Sequence, residues 1–262
     1  MNVTRVARIF RALPAILAAV VLGASAALAN LVTNGDFSSY TAYNLPNGSP
    51  AVGYEIGPIA GTSTNLTGWT SNGANALFLP GTNCVACPGS YSPQGFALKL
   101  WAADNGGANS WNGRGPAAPG YANGMNFIAS DPAWQTGSLT QTINGLTVGR
   151  QYQVSFTWAS AQEKGYTGAH KEAWTVALGN QSYSTVQASN VSTGFTDWTN
   201  VAFTYTATAT SMLLSFLSSA PSGNPPYALL ANVSMSAVPE PTSLLLLGTG
   251  LLAGVAALRR RG

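Results

Sequence analysis

Residues 151–159 of the chain read QYQVSFTWA, and this stretch decides the fold class. Tyr152, Val154, Phe156 and Trp158 fall on one face of an extended chain, and polar residues occupy most of the alternate positions. Strict alternation with a period of two is typical of a half-buried β-strand. The stretch therefore predicts a strand with one face on a core and the other in solvent.

Similar short runs lie on both sides of this stretch, separated by Gly, Asn and Pro. They occupy residues 75–79, 95–101, 139–143, 174–178, 200–206, 211–217 and 229–235. The run 211–217 is apolar on both faces, which predicts a central strand. Asn144-Gly145 is a hairpin signal, but five further residues precede the next strand, so we expect a longer loop. The pattern predicts an all-β, jelly-roll-like antiparallel β-sandwich over residues 30–237.

Composition narrows the class of protein. The chain has 262 residues, of which 46% are hydrophobic and only 7% are charged, against about 25% in an average soluble domain. Residues 30–238 contain five Lys or Arg and seven Asp or Glu, a net charge of −2. This body lacks the basic patch that nucleic-acid binding requires, so we expect no nucleic-acid partner. A disordered polyelectrolyte and a coiled coil are also excluded.

The N-terminus is typical of a secretory signal peptide. Three arginines among the first eleven residues precede an apolar run at residues 12–24, and Ala-Leu-Ala follows at 27–29. A basic start, a short apolar stretch and a small-residue cleavage site define such a peptide. We expect residues 1–29 to be removed after Ala29.

The C-terminus, residues 238–262, has three parts in a fixed order. Pro239, Glu240 and Pro241 come first, an uncharged apolar segment occupies residues 242–258, and three arginines follow at 259–261. Seventeen residues of α-helix span about 25 Å, enough for a thin bilayer. The segment predicts a transmembrane helix whose arginines lie in the cytoplasm.

These C-terminal residues resemble the PEP-CTERM sorting signal of Gram-negative bacteria. The resemblance implies that an exosortase, a membrane cysteine transpeptidase, recognises the tail and removes the span. It also implies export, transient anchoring in the inner membrane, and then a place at the cell surface or in the extracellular matrix. It implies nothing about the activity of the body.

The body is similar to galactose-binding-like jelly rolls, the fold of many non-catalytic carbohydrate-binding modules. The similarity lies in short motifs, at residues 31–37, 68–69, 197–198, 201–205 and 229–234. Such modules commonly hold a structural calcium, and the positions of two expected acids are taken here by Ser38 and Ala231. Because calcium prefers carboxylate ligands, we expect no metal of that type and no cofactor.

Cys84 and Cys87 are spaced C-x-x-C. A thioredoxin-like redox pair needs a βαβ setting, which the pattern lacks, and a zinc site needs more ligands than these two and the single histidine, His170. Export to an oxidising compartment favours a disulfide between the two cysteines.

Catalytic residues are few. His170 lies in a polar stretch before a strand, where we expect it to be solvated. A glycosidase needs two carboxylates across the sugar, and Glu163 and Glu172 are the pair that the sequence offers. The other interpretation is that these acids pair with Lys164 and Lys171 on a wet loop.

Aromatic residues are the stronger indication of function. The chain has seven Trp and ten Tyr, and sugars stack on exposed aromatic rings. By parity Trp158 and Trp174 belong to the core, whereas Trp101, Trp111 and Trp134 are candidates for a ligand platform. We therefore expect an exported, non-catalytic protein that binds extracellular polysaccharide. A polysaccharide hydrolase using Glu163 and Glu172 and a purely structural surface protein are the alternatives.

Overall fold

A computed structural model describes residues 29–41, 55–56, 65–78, 84–85, 98–102, 106–109, 126–220 and 224–239. Of residues 55–56, 84–85, 98–99 and 109, only the backbone is described. The predicted signal peptide and the apolar C-terminal segment lie outside these residues. No helix in the described ranges is long and apolar enough to cross a membrane.

The described residues form eighteen strands, numbered in chain order. They are β1 (Tyr40–Thr41), β2 (Glu55–Ile56), β3 (Asn65–Leu66), β4 (Thr70–Ser71), β5 (Asn75–Phe78), β6 (Cys84–Val85), β7 (Leu98–Lys99), β8 (Ala108–Asn109), β9 (Phe127–Ser130), β10 (Ser138–Asn144), β11 (Gln151–Gln162), β12 (His170–Leu178), β13 (Gln181–Ser184), β14 (Ala188–Asn190), β15 (Gly194–Phe195), β16 (Thr199–Thr206), β17 (Ser211–Ser219) and β18 (Pro226–Ala237). Neighbouring strands pair antiparallel, except that β15 and β8 are parallel.

Two sheets form the sandwich. The six-stranded sheet has the order β13-β12-β17-β10-β4, with β14 also paired to β12. The eight-stranded sheet has the order β2-β5-β9-β18-β11-β15-β8, with β16 also paired to β11. The pairs β1-β3 and β6-β7 form two further, two-stranded sheets. This architecture confirms the all-β antiparallel sandwich expected from the period-two pattern.

The main core lies between the two sheets. Phe216 of β17 is at its centre, with its ring 5.3 Å from Phe156 and 6.2 Å from both Trp174 and Trp69, in edge-to-face arrangements. Such geometry matches the positive edge of one ring to the negative face of the next. Trp158 and Trp174 are 7% and 0% exposed, so the core position predicted for both by parity is confirmed.

A second apolar cluster covers the opposite face of the eight-stranded sheet. Ala159 and Ala161 of β11 point into it, and Phe195, Leu100 and Tyr227 pack over them. The last residues of β11 are therefore buried on both faces, whereas its first residues alternate between exposed and buried. This covered end of β11 leads directly into the candidate site.

Six strand predictions in the second half of the chain are confirmed, because the strands β10, β11, β12, β16, β17 and β18 contain the stretches that predict them. The run 211–217 lies in β17, and its predicted position as a central strand is confirmed. The strand β17 is central, between β12 and β10, but Leu213 and Leu217 are 49% and 38% exposed on its outer face. A central position provides neighbours within the sheet and does not by itself cover both faces.

Candidate functional site

The two ends of the sandwich differ in chemistry. Strand β11 runs from Gln151 at one end to Gln162 at the other, where β9 ends and β12 and β18 begin. The second of these ends is called here the aromatic end, and it comprises Trp101, residues 131–134 and residues 163–166. It contains two of the three tryptophans that the sequence predicts as a platform.

Trp134 is the most exposed large aromatic side chain of the aromatic end, at 76%. It lies in a turn that follows β9, and Asp131 holds this turn from within. The Oδ1 atom of Asp131 accepts hydrogen bonds from the backbone N–H groups of Ala133, at 2.9 Å, and Trp134, at 3.1 Å. A turn capped in this way presents the indole ring to solvent on a fixed backbone.

Trp101 is half-buried at the same end. Its Nε1 donates to the backbone carbonyl of Tyr166 at 3.0 Å, and the Lys164 ammonium lies 4.8 Å from the ring centroid. Its neighbour Leu100 forms a β-bridge with Glu163 and is fully buried. The alternation of buried Leu100 and partly exposed Trp101 agrees with the predicted parity, but Lys164 already occupies part of the indole surface.

Two carboxyl groups lie at the aromatic end. Burial, together with the nearby charge of Asp131, raises the pKa of Glu163 to about 7. Burial also raises the pKa of Asp131, although hydrogen bonds from Trp134, Ala133 and the Tyr227 hydroxyl oppose this. The acidic neighbour of Glu163 is thus Asp131, rather than the Glu172 that the sequence suggested.

Glu172 lies deeper, in a polar network between the two sheets. Its carboxylate accepts hydrogen bonds from the Ser160 hydroxyl and from Asn190 Nδ2, the latter at 3.2 Å, and its other oxygen contacts His170 Nδ1. Asn190 Nδ2 also contacts the Ser160 hydroxyl. Burial raises the pKa of Glu172, and the bonds from His170, Ser160 and Asn190 oppose this rise.

The expectation that His170 is solvated on a loop is wrong. It is the first residue of β12 and is 1% exposed, because alternation along β12 places His170, Glu172 and Trp174 on the inner face. Lys171 lies on the outer face, so the proposed Glu172–Lys171 pair is also wrong. His170 Nε2 and Asn190 Oδ1 are buried and find no hydrogen-bond partner among the described residues.

This geometry limits the chemistry of the site. Glu172 is 0% exposed, so it does not face a cleft in which a sugar chain would lie beside Glu163. The aromatic side chains that reach solvent at the aromatic end are Trp134, Tyr166, which is 49% exposed, and part of Trp101. Apolar ring faces next to partly buried polar groups are the chemistry of a sugar-binding surface.

A groove of about 660 Å³ lies elsewhere, on the outer face of the six-stranded sheet. Its lining is neutral and consists largely of residues 65–70 and 140–142, with Leu213 at its rim. The exposed tryptophan of the aromatic end does not line this groove. The groove provides hydroxyl and amide groups but no charged side chain.

Several predicted site residues lie outside the described residues. They are Trp111, Cys87, Glu240 and Pro241, and of Cys84 only the backbone is described. The disulfide therefore stays a prediction. Within the described ranges, no three His, Cys, Asp or Glu side chains are grouped as metal ligands. Of the two positions where the resemblance led us to look for calcium ligands, Ala231 lies in the second apolar cluster and Ser38 donates hydrogen bonds to Asp36. Neither side chain has a carboxylate.

Sequence reasoning missed the roles of Asp131, Ser160 and Asn190. A signal for Asp131 was present, because Asp followed by Pro starts a turn and Trp134 comes three residues later. Extending the period-two pattern back from Trp174 would also have placed Glu172 and His170 inside. Ser160 and Asn190 carried no comparable signal, since their contact depends on how strands distant in sequence meet.

Comparison with solved structures returns β-sandwich proteins at low identity. TmCBM61, solved with β-1,4-galactotriose, is 15% identical with a TM-score of 0.35, over 80% of this chain and 99% of that one. A CBM4 structure is 17% identical with a TM-score of 0.31, over 79% and 99%. An apo cyclase from Fischerella sp. is 14% identical with a TM-score of 0.39, over 82% and 98%.

The enzymatically active domain of tailspike protein 4 from bacteriophage CBA120 is 14% identical with a TM-score of 0.34, over 80% of this chain. The chain spans only 21% of that tailspike chain. No curated protein matches the sequence significantly.

The C-terminus gives a specific match. Residues 237–261 match the family model of the PEP-CTERM protein-sorting motif. The matched segment begins at the last residue of β18 and includes Pro239, Glu240 and Pro241. The chain therefore carries a PEP-CTERM sorting motif, the mark of an exported protein handled by an exosortase, directly after an all-β sandwich body.

Proposed function

We propose that this protein is an exosortase-sorted surface protein whose sandwich binds extracellular polysaccharide, without catalysis, through its aromatic end. The sorting motif accounts for delivery to the cell surface. At the cell surface, polysaccharide is the ligand whose chemistry fits the exposed rings of the aromatic end. Its neutral hydroxyls suit a nearly uncharged body, and its ring C–H faces suit exposed indole and phenol rings.

The observation that carries this proposal is the placement of Trp134. A tryptophan that is 76% exposed is costly to leave in water, yet Asp131 fixes the backbone that presents it. Tyr166 and Trp101 lie at the same end, joined by the hydrogen bond from Trp101 Nε1. Several aromatic rings on rigid turns can bind successive sugar units with little loss of conformational entropy.

The test is binding of the exported protein to exopolysaccharide purified from its host. If a sugar stacks on indole about as strongly as a nucleobase does, Trp134→Ala removes about 1–3 kcal/mol, which is roughly a 5–150-fold weaker affinity. Val186→Ala is the matched control, because Val186 is 83% exposed but lies away from the aromatic end. Equal affinity of wild type and both variants would refute the proposal.

A hydrolase is the second candidate, and one observation favours it. A carboxyl group with a pKa near 7, such as that of Glu163, suits a general acid, and Asp131 is an acid beside it. The two catalytic carboxyl groups of this hydrolase would be those of Asp131 and Glu163. Release of new reducing ends from the host polysaccharide, abolished in Glu163→Gln, would establish the hydrolase over the binding protein.

A purely structural surface protein is the remaining alternative. It predicts no saturable binding to any glycan. A glycan array probed with the exported protein distinguishes this alternative from the proposed binding function.

A further inference from the structure

The sorting motif starts inside the fold. Ala237 of β18 is the first residue of the match, and it is still paired with Tyr152 of β11. The backbone N–H of Val238 donates to the Gln151 carbonyl at 2.9 Å. Pro239 lines a groove with residues 147–151. The described structure therefore leaves no flexible linker between the body and the motif.

This attachment limits how far the body can lie from the membrane. Only residues 239–241 separate the fixed Val238 from the apolar residues 242–258. Three fully extended residues reach about 10 Å. Whatever its orientation, the end from which the chain leaves lies at the lipid headgroups as long as the apolar segment spans the bilayer.

The end from which the chain leaves is called here the tail end. It consists of residues 144–150, 179–181, 207–211 and 237–239, and backbone hydrogen bonds join the first and third of these segments. The described residues of the tail end include no Asp or Glu, and Arg150 is their one cation. Val148 is 60% exposed there. A neutral to positive surface with an exposed apolar side chain suits contact with anionic headgroups.

The acids that the structure describes near an end lie at the opposite one. Asp131 and Glu163 belong to the aromatic end, where Lys164 is the one cation among its described residues, and this end is about 36 Å away along the twelve residues of β11. We infer that, before its tail is removed, the sandwich stands upright on the membrane. Its tail end contacts lipid headgroups, and its aromatic end faces away from the bilayer. This inference rests on the sorting part of the proposed function and not on polysaccharide binding.

The experiment places one fluorescent label at each end. Val148→Cys at the tail end and Val191→Cys beyond β14, near the aromatic end, are matched, because their side chains are 60% and 57% exposed. Both are made in the full chain with Cys84→Ser and Cys87→Ser, and the uncleaved protein is reconstituted in phosphatidylethanolamine–phosphatidylglycerol vesicles. Lipids with a spin label on the headgroup quench nearby fluorophores.

The label at residue 148 is expected to lose most of its fluorescence, and the label at residue 191 is expected to lose almost none. Inserting about twelve Gly and Ser residues between Val238 and Pro239, a flexible reach of about 20 Å, should restore the fluorescence at residue 148. Equal quenching at both positions overturns the upright orientation, and quenching at residue 148 that the spacer leaves unchanged overturns the inference that the short attachment holds the tail end at the headgroups. Failure of the protein to stay with the vesicles overturns the membrane anchor itself, whereas polysaccharide binding is tested separately by Trp134→Ala.

Discussion

His170 and Glu172 lie side by side on the inner face of β12, and their side chains form a buried titratable pair in the core. Both are almost fully buried, and Ser160 and Asn190 complete the hydrogen bonding of the carboxylate. Removing one partner of such a pair leaves a buried polar group without compensation. We expect His170→Ala to lower the free energy of unfolding by about 3–5 kcal/mol, measured by urea denaturation.

The matched control is the next residue in the sequence. Lys171 is on the outer face of the same strand, so Lys171→Ala should change stability by about 0.5 kcal/mol or less. Similar losses in the two variants would show that the side chains of β12 do not face the way described here.

Glu163 gives the protein a specific dependence on pH. Its pKa is raised to about 7 in the folded state, against 4.5 for the free side chain, so the folded protein holds more protons between these values. The free energy of unfolding of the wild type therefore falls as pH rises through this window. Glu163→Gln removes this contribution.

We expect the stability of Glu163→Gln relative to wild type to increase between pH 5 and pH 8, by about 1–3 kcal/mol because solvent screens part of the effect. Urea denaturation at a series of pH values measures it. Asp131 and Glu172 contribute slopes of the same sign in both proteins, so the difference reports Glu163 together with its electrostatic coupling to Asp131. Parallel pH profiles would mean that Glu163 is solvated.

At the scale of the elements, two glycines set how closely the chain segments next to β4 and β10 approach. A Cβ added to Gly137 would lie 2.4 Å from the Cα of Gly73. The clash is with backbone, so no side chain can rotate away from it. We expect Gly137→Ala to lower the thermal midpoint, at a cost of about 3 kcal/mol.

Gly145 provides the comparison for this variant. Nothing lies within 4 Å of a Cβ added there, but its φ is +77°, so Gly145→Ala costs about 1 kcal/mol from backbone strain alone. A Gly137→Ala protein as stable as the Gly145→Ala protein would show that the segments separate easily.

The strands that the sequence predicted best have one face exposed to solvent. In β11 and β10 the period-two pattern is strong because water on one side requires polar residues there. In the early part of the chain, β5 confirms the strand predicted at residues 75–79, but β9 was not predicted, because it is buried on both faces and has no alternation. Residues 95–101 form only a two-residue strand and a bridge in their described part.

The candidate site was predicted only in part, for a related physical reason. Exposure of Trp134 follows from its local turn, so the sequence contained it. The Asp131–Glu163 proximity and the His170–Glu172 network instead depend on which strands become neighbours across the sheet. Asn144-Gly145 shows the same limit, because it ends β10, whose partners are β17 and β4 rather than the following strand β11.

At the scale of the whole molecule, we assign one task to each end of the sandwich. The tail end carries the sorting motif, which starts in the last strand, and the aromatic end carries the exposed rings. The sheets between them separate the two by the length of β11. A body with these properties can bind polysaccharide while its other end is still attached to the membrane.

The most direct test of the central claim, that polysaccharide binds at the aromatic end, is hydrogen–deuterium exchange of the exported protein. Exchange is compared with and without saturating host exopolysaccharide. We expect slower exchange in residues 131–135 and 163–166, with residues 144–150 unchanged. Protection confined to residues 144–150, protection confined to the groove at residues 65–70 and 140–142, or no protection at all would contradict it.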